Sequence, residues 1–251
     1  MKFTYCFIMA MMVGASIASA QKLDTVIRKD ADGMEYFQVK KNSLTVTEGY
    51  LFNGSYEGTW INYWETNGYP NHITNYKNGK LNGIRMQVNQ QGYTEFIENY
   101  KNDLLDGPKR VFQNGTQFLT EEVNYKEGKK HGLYKRNYTN GKVQEESNYK
   151  NGERDGKATW YFETGEKTAE YLYKNGAIDG EVASYYKNGK VSEFGLYSKG
   201  QQTGTWKEFY ENGAMKAEGK YANGQKDGTW KEYDEKGKVV KTRNYKNGET
   251  N

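Results

Sequence analysis

Aromatic and small residues recur along this chain with a period of 24 or 25 residues. One glycine and one tyrosine repeat at this interval. The glycine series is Gly58, Gly83, Gly107, Gly132, Gly156, Gly180, Gly204 and Gly228. The tyrosine series is Tyr76, Tyr100, Tyr125, Tyr149, Tyr173, Tyr197, Tyr221 and Tyr245. Two independent markers that share one period indicate a tandem array of short repeats.

Each repeat contains two short stretches whose apolar residues follow a strand pattern. In the last full repeat, Trp206 and Tyr210 lie four positions apart, so they point to one face of a strand, while Phe209 points to the other. A second stretch carries apolar or small residues at alternate positions from Met215 to Tyr221. The pattern therefore predicts two β-strands per repeat.

Asn-Gly pairs predict the turns between these strands. The pair Asn212-Gly213 is typical of a two-residue type I′ hairpin turn, because both residues tolerate positive φ. The stretch from Asn223 to Gly228 predicts a second, longer turn. Short strands joined in this way form an antiparallel meander.

The predicted fold is all-β: an elongated single antiparallel meander of tandem β-hairpin repeats of about 24 residues each. Sixteen or so strands, spaced about 4.8 Å apart, would extend on the order of 75 Å. We expect residues 58–251 to hold eight repeats and residues 33–57 to form a degenerate capping repeat. One face should carry a packed ladder of Trp and Tyr, and the other should be half-exposed to water.

The first 20 residues form an apolar run with the features of a targeting segment. Lys2 supplies a positive charge, and the uncharged stretch after it ends with small residues at Ala18 and Ala20. These features predict a signal peptide over residues 1–20 and a polar lead over residues 21–32. The alternative is an uncleaved N-terminal anchor, which would be at the short limit for a membrane span. Cleavage would leave an exported protein, periplasmic, envelope-bound or secreted, with no transmembrane segment.

The unit Gly-x-Trp-x-x-Tyr-Tyr-x-x-Gly, followed by Tyr-x-Asn-Gly-x-x-x-Gly, resembles the variant MORN repeats of bacteria. The resemblance covers about residues 48–251. Several repeats carry another residue in place of the tryptophan, namely Met86, Lys109, Tyr134, Ala158 and Val182. The resemblance implies a binding or scaffolding module linked to membrane lipids or protein partners. Many bacterial variants are catalogued as antitoxins, so it also implies an antitoxin of a toxin–antitoxin pair.

Composition narrows the function classes. Only 35 % of the 251 residues are hydrophobic, yet 15 % are aromatic, and disordered chains are poor in aromatic residues. The single cysteine excludes a disulfide scaffold. The formal net charge of +4 is small, and together with the predicted export it leads us to expect no nucleic-acid partner.

The sequence offers few groups that could carry catalysis. His72 and His131 lie in different repeats and at different repeat positions, which indicates surface histidines. No cluster has metal-ligand spacing and no nucleophile motif occurs, so we predict no enzyme activity, no metal and no cofactor. Several repeats carry an aspartate just before the repeat glycine, either as a turn cap or as part of a calcium ladder. These residues are Asp106, Asp155, Asp179 and Asp227.

Two sets of side chains are candidates for a binding surface. The first set is aromatic and is equally compatible with a structural role: Trp60, Tyr185, Trp206, Phe209 and Trp230. The second set follows the repeat tyrosine and would line one edge of the array: Lys77, Lys101, Lys126, Lys150, Lys174 and Lys246. This lysine row either binds anionic lipid or glycan, or only protects the sheet edge from aggregation.

The sequence thus predicts a non-enzymatic, exported repeat protein that acts as a binding or scaffolding surface in the cell envelope. Its partner would be a protein, a toxin among the candidates, or an envelope lipid or glycan. Two alternatives stand beside this prediction: an antitoxin or immunity protein that neutralises one toxin, and a glycan- or lipid-binding module.

Overall fold

The computed structural model describes residues 23–250, and every secondary-structure element within them is a β-strand. The predicted signal peptide at residues 1–20 lies outside the described residues. In chain order the strands are β1 (Leu23–Lys29), β2 (Met34–Lys41), β3 (Leu44–Phe52), β4 (Ser55–Tyr63), β5 (Pro70–Lys77), β6 (Lys80–Val88), β7 (Thr94–Lys101), β8 (Leu104–Leu105), β9 (Gly107–Phe112), β10 (Leu119–Lys126), β11 (Lys129–Asn137), β12 (Val143–Lys150), β13 (Glu153–Tyr161), β14 (Lys167–Lys174), β15 (Ala177–Tyr185), β16 (Val191–Ser198), β17 (Gln201–Phe209), β18 (Met215–Ala222), β19 (Gln225–Tyr233), β20 (Val239–Lys246) and β21 (Glu249–Thr250).

The strands form one open antiparallel sheet of 21 strands in which neighbours along the chain are neighbours in the sheet. The short strands β8 and β9 together fill one position, since both pair with β7. The predicted all-β meander of tandem hairpins is therefore confirmed.

The sheet begins earlier than the repeat pattern indicates. β1 lies inside the segment predicted as a polar lead, and it pairs with β2 from Leu23 opposite Lys41 to Lys29 opposite Glu35. Nearly all of its side chains are exposed, so it carries little of the apolar alternation by which a strand is recognised. Backbone pairing with β2, rather than side-chain burial, holds this strand in place.

The two turns of the repeat have the reverse of the predicted types. Asn223 and Gly224 have φ values of 50° and 79° and form the two-residue turn between β18 and β19. Asn212 instead lies in a longer turn, where its side chain accepts a hydrogen bond from the backbone N–H of Ala214 at 2.8 Å. In that turn Gly213 has positive φ and Asn212 does not. The prediction of a type I′ turn at Asn212-Gly213 is wrong because the asparagine side chain stabilises a wider loop.

The repeat glycine lies within a strand and not in a turn. Glu218 of β18 pairs with Lys231 of β19, whereas Lys220 pairs with Asp227, so a step of two residues on β18 faces a step of four on β19. Gly228 lies in this bulge with a φ of 71°. Glycine adopts positive φ without the steric penalty of a Cβ atom. All eight glycines of the series have φ between 65° and 130°, so the bulge recurs in every repeat.

Candidate binding surface

Three tryptophans lie against glycines of the preceding strand, on the side of the sheet called here the tryptophan face. A Cβ atom on any of these glycines would overlap the indole ring, and the pairs are Gly49 with Trp60, Gly195 with Trp206, and Gly219 with Trp230. Each indole Nε1 also donates a hydrogen bond to the carbonyl of the residue after the glycine, at 2.8 to 3.2 Å. The bulge at the repeat glycine and the missing side chain on the neighbouring strand together make room for the ring.

These three tryptophans belong to the packed core of the sheet. Their side chains are 7 %, 3 % and 4 % exposed for Trp60, Trp206 and Trp230. Tyr221 packs edge-on between the last two, with ring centroids 5.4 Å from Trp206 and 5.1 Å from Trp230. Burial favours the structural role that the sequence left open for them, because a partner could not reach their faces.

Where smaller residues replace the tryptophan, the neighbouring strand supplies the bulk. Ala158 and Val182 occupy the tryptophan position of their repeats, and both are buried. Tyr171 is in register with Ala158 on one side and with Val182 on the other. The tryptophan face therefore stays filled through exchange of large and small residues between adjacent strands.

The residue at the tryptophan position of β6 is Arg85 and not Met86. Arg85 is in register with Thr74 on β5, as Trp60 is from the other side. Successive residues of a strand point to opposite faces, so Met86 lies on the far side of the sheet. The assignment of Met86 to this position is thus wrong by one residue.

Around β7 the tryptophan face carries an ion cluster instead of an indole. Glu98 is only 6 % exposed, and its carboxylate lies 2.8 Å from Lys109 Nζ and 3.8 Å from an Arg85 guanidinium nitrogen. The Tyr100 hydroxyl donates a further hydrogen bond to Glu98 at 2.9 Å. The hydrogen bond to Glu98 raises the pKa of Lys109. The buried carboxylate is therefore compensated on three sides.

The opposite side of the sheet, called here the ladder face, carries one unbroken row of cross-strand neighbours. The row crosses the sheet from β2 to β20. In order, its members are Gln38, Glu48, Ile61, Ile73, Met86, Ile97, Arg110, Glu122, Lys135, Glu146, Thr159, Glu170, Ala183, Phe194, Lys207, Glu218, Lys231 and Thr242. After two polar residues, the row is apolar from Ile61 to Ile97 and ionic from Arg110 to Glu146. A second apolar section follows at Ala183 and Phe194, and the row is charged again from Lys207.

The middle of this row is a ladder of ion pairs. Arg110 lies 3.1 Å from Glu122, and Lys135 lies 3.3 Å from Glu146. All four side chains are between 28 % and 44 % exposed, so water screens the pairs. This section is a solvated face, in contrast to the two apolar sections beside it.

A tyrosine-to-glutamate hydrogen bond recurs along the ladder face, and Tyr185 takes part in it. The hydroxyl of Tyr185 donates to Glu170 at 3.0 Å, and that of Tyr233 donates to Glu218 at 2.7 Å. Tyr63 donates to Glu48 in the same way at 2.5 Å. The polar end of Tyr185 is therefore bound within the sheet, while its ring remains half-buried.

Two lysines add to the contacts of Glu170. Lys157 Nζ and Lys167 Nζ each lie 2.7 Å from its carboxylate. Burial alone would raise the pKa of Glu170, but the hydrogen bonds from these lysines and from Tyr185 lower it to about 2. Glu170 thus stays ionised and holds both lysines beside it.

One repeat replaces this tyrosine-glutamate pair with two phenylalanines. Phe209 stands in the tyrosine position, and Phe194 stands in the glutamate position of the row. On the strands around them, Leu172 and Leu196 stand directly before the repeat tyrosine. In the other repeats this position holds Lys220 once and otherwise asparagine: Asn75, Asn99, Asn124, Asn148 and Asn244. An apolar groove of about 500 Å³ lies on the ladder face at Phe194 and the two leucines, and its apolar lining includes Leu172, Ala183, Val191, Phe194 and Leu196. Phe209 is not among the residues that line it.

The role of these asparagines is not among the sequence predictions. Asn99, Asn124 and Asn148 each donate a side-chain hydrogen bond to the carbonyl after the next repeat glycine, at 2.6, 2.9 and 3.2 Å. The bulge takes that carbonyl out of the regular ladder, and the amide supplies the missing donor. Their spacing of 24 or 25 residues is the signal that would have revealed them.

The lysine row lies where the sequence places it. All six lysines are exposed, and each is the last residue of its strand along one edge of the sheet. Lys77, Lys80 and Lys101 line a cavity of about 490 Å³ with Asn78, Asn82 and Asn102. This cavity has the donors to bind an anion, and such binding stays a prediction.

The aspartates before the repeat glycine serve the turns where their contacts are seen. Asp106 accepts a hydrogen bond from the backbone N–H of Glu127, and Asp155 accepts one from that of Asn175, both at 3.2 Å. Each carboxylate therefore caps the turn of the following repeat, which favours the turn interpretation over a calcium ladder. Within residues 23–250, no group of three or more His, Cys, Asp or Glu side chains is placed to hold a metal ion. No helix in that same range is long and apolar enough to cross a membrane.

Comparison with known families agrees with this hairpin array. Four segments match the family described as the MORN repeat variant: residues 130–151, 154–175, 202–223 and 226–247. Each segment covers one pair of adjacent strands, from β11–β12 to β19–β20. A comparison with curated proteins found no match. MORN repeats are generally binding or scaffolding repeats. The chain thus carries four MORN-variant repeats within a longer sheet of similar hairpins.

Proposed function

We propose that this protein is a non-enzymatic binding or scaffolding protein of the cell envelope, exported by its N-terminal segment, and that it holds its partner on the ladder face. The observation that carries the proposal is the difference between the two faces. On the tryptophan face, the three tryptophans are buried and pack against glycines of the preceding strands. The ladder face carries a continuous row whose members are half-buried or exposed except for the buried Thr159, and it has a groove where that row becomes apolar.

A protein partner suits the ladder face because the row offers both apolar and charged contacts over many strands. A toxin neutralised by this surface is one such partner, which the resemblance to MORN-variant antitoxins suggests. The cavity at Lys77, Lys80 and Lys101 supports a second candidate, an anionic envelope lipid or glycan bound at the lysine edge.

To test this proposal, the full-length chain is expressed in its host with a tag at its C-terminus. Cell fractions are separated, partners are cross-linked and identified by mass spectrometry, and the N-terminus of the product is sequenced. We expect a product that begins at Gln21, found outside the cytoplasm, with a stoichiometric partner. A cytoplasmic product that retains Met1 and captures nothing would overturn the proposal.

Two variants separate the parts of this proposal. Ala18→Leu with Ala20→Leu removes the small residues that a signal peptidase needs, and the product should then keep Met1 and stay with the membrane. Lys77→Gln with Lys101→Gln should abolish retention of anionic lipid or glycan and leave a ladder-face protein partner in place. Loss of the protein partner in the glutamine variant would assign it to the lysine edge instead.

A further inference from the structure

The ladder face departs from its own repeat pattern at one place. On either side, Glu170 and Glu218 occupy the row and accept tyrosine hydrogen bonds. Between them stands Phe194, in register with Ala183 and Lys207. A repeat array provides its own control, since the neighbouring repeats show what the backbone alone needs at each position.

The leucines of the groove are not required by the backbone. Leu172 lies against the bulge at Gly180, where a Cβ atom would stand 2.7 Å from its Cδ2. Asn148 lies against the equivalent bulge at Gly156, where a Cβ atom would stand 3.7 Å from its Cβ. The same bulge forms with either residue, and with asparagine it gains a hydrogen bond to a backbone carbonyl. The sheet itself therefore gains no hydrogen bond from leucine there.

These apolar side chains remain open to water. Leu172, Phe194 and Leu196 are 43 %, 36 % and 38 % exposed, and they surround one cavity. Leu133 is equally exposed on the same face, but it is not among the residues that line this cavity. Clustered exposed apolar groups around a concave site indicate binding, whereas a single exposed leucine does not.

Charge around the groove indicates what enters it. Seven ionisable side chains of the ladder face lie in or beside it, four of them lysines and three glutamates: Lys157, Lys167, Glu170, Glu181, Lys207, Glu218 and Lys220. Lys157, Glu170 and Glu181 line the cavity itself, and Glu218 is in register with Lys207. Glu170 is already held by Lys157 and Lys167. Lys207 and Lys220, beyond Phe194, have no carboxylate within ion-pair distance among residues 23–250. The excess charge beside the groove is positive.

We infer that the groove docks a segment of a partner protein that is apolar where it enters and acidic at its flanks. The apolar side chains of that segment would pack on Leu172, Phe194 and Leu196, and its carboxylates would pair with Lys207 and Lys220. This inference rests on the proposed binding function and adds the site and the chemistry of the partner. Complementary charge would set the register of the segment, while apolar burial would supply most of the affinity.

A variant that restores the repeat pattern tests the inference. Leu172→Asn, Phe194→Glu and Leu196→Asn each introduce a residue that repeats outside the groove carry at the same position, such as Asn148 and Glu218, so this triple variant should keep the fold. Leu133→Asn is the matched control, an exposed leucine of the same face outside the groove. Circular dichroism melts of the full chain check that both variants unfold at temperatures close to that of the unmodified protein.

The probes are three short fluorescent peptides measured by anisotropy. One has central leucine and phenylalanine with glutamate flanks, one has the same centre with lysine flanks, and one has glutamate flanks with a serine centre. We expect the first to bind the unmodified protein and the Leu133→Asn variant at least about tenfold more tightly than either other peptide. The triple variant should lose this preference. Equal binding of all three peptides, or full binding by the triple variant, would overturn the inference.

Other occupants of the groove give distinct results. A concentration-dependent dimer that the triple variant abolishes would assign the groove to a second copy of this chain and overturn the inference. Binding to anionic vesicles that depends on Leu172, Phe194 and Leu196 would assign it to lipid, with the same consequence. If the host partner binds the triple variant as well as the unmodified protein, the groove inference fails while the proposed binding function stands.

Discussion

The tryptophan face is built in two ways within one sheet. Around β17 and β19, Trp206 and Trp230 cover glycines and are almost completely buried. Around β7, the same column of the face holds Glu98 between the side chains of Arg85 and Lys109. Strand pairing continues across both regions. The difference shows that the repeat determines the hairpin and its bulge but not the chemistry of the core column, provided that each side chain meets a suitable neighbour.

The two solutions differ in what they demand of their neighbours. An indole that lies on a glycine tolerates no added volume, since interiors are close-packed. A buried carboxylate needs its cations, because removal of one partner leaves charge without compensation. The apolar region should therefore be sensitive to size, and the ionic region to charge.

Gly195→Val, in the apolar region, should lower the free energy of unfolding more than any single substitution in the ionic region. The new side chain would occupy the space of the Trp206 ring, so the indole must leave its site or the strands must separate. We expect the free energy of unfolding to fall by about 3 kcal/mol. Urea denaturation of the full chain measures the change.

A second substitution distinguishes steric conflict from a general weakness of the strand. In the Gly195→Val background, Trp206→Ala should cost less than it does in the unmodified protein, because the ring is already displaced. If the two costs simply add, the indole and the glycine do not share the site as described.

Glu98→Gln should have an intermediate effect. The change removes the charge that holds Arg85 and Lys109, whose side chains are partly exposed and can turn toward water. We therefore expect a loss of about 2 kcal/mol, below the range for a fully buried pair. The matched control is Glu122→Gln, which breaks a solvated pair with Arg110 and should cost less than about 1 kcal/mol. Equal losses from both variants, measured in urea, would show that burial of Glu98 adds nothing.

The repeat period and the packed aromatic face could be predicted from the sequence, because tryptophan, tyrosine and glycine recur at constant spacing. The turn types could not, since Asn-Gly occurs in both turns and a side-chain bond of Asn212 decides between them. Arg85 was not assigned from the sequence because nothing in its type suggests a core position, although it follows Gly83 by two residues as Trp60 follows Gly58. Strand register shows that it takes the place of a tryptophan. The groove escaped notice because its residues come from separate strands, and no single strand contains the pattern.

Substitution of Glu193 should give the smallest change in stability, and it tests the effect of charge within the tryptophan region. In the tryptophan region it is in register with Glu208, so like charges face each other where β7 pairs Glu98 with cations. Burial and the charge of Glu208 raise the pKa of Glu193, and Lys216 only partly offsets them. The native state therefore binds a proton more readily than the unfolded chain does, and stability falls as pH rises from about 4.3 through the raised pKa.

Glu193→Gln should accordingly stabilise the protein at neutral pH by less than about 1 kcal/mol, since the site is partly open to solvent. The gain should shrink as pH falls, because the native glutamate is then protonated and uncharged. Thermal melts at pH 7 and near pH 4 measure the stabilisation at each pH. The control is Glu181→Gln, which changes an exposed glutamate on the neighbouring strand β15. A gain that is the same at both pH values would mean that packing, and not the repulsion between Glu193 and Glu208, sets the cost.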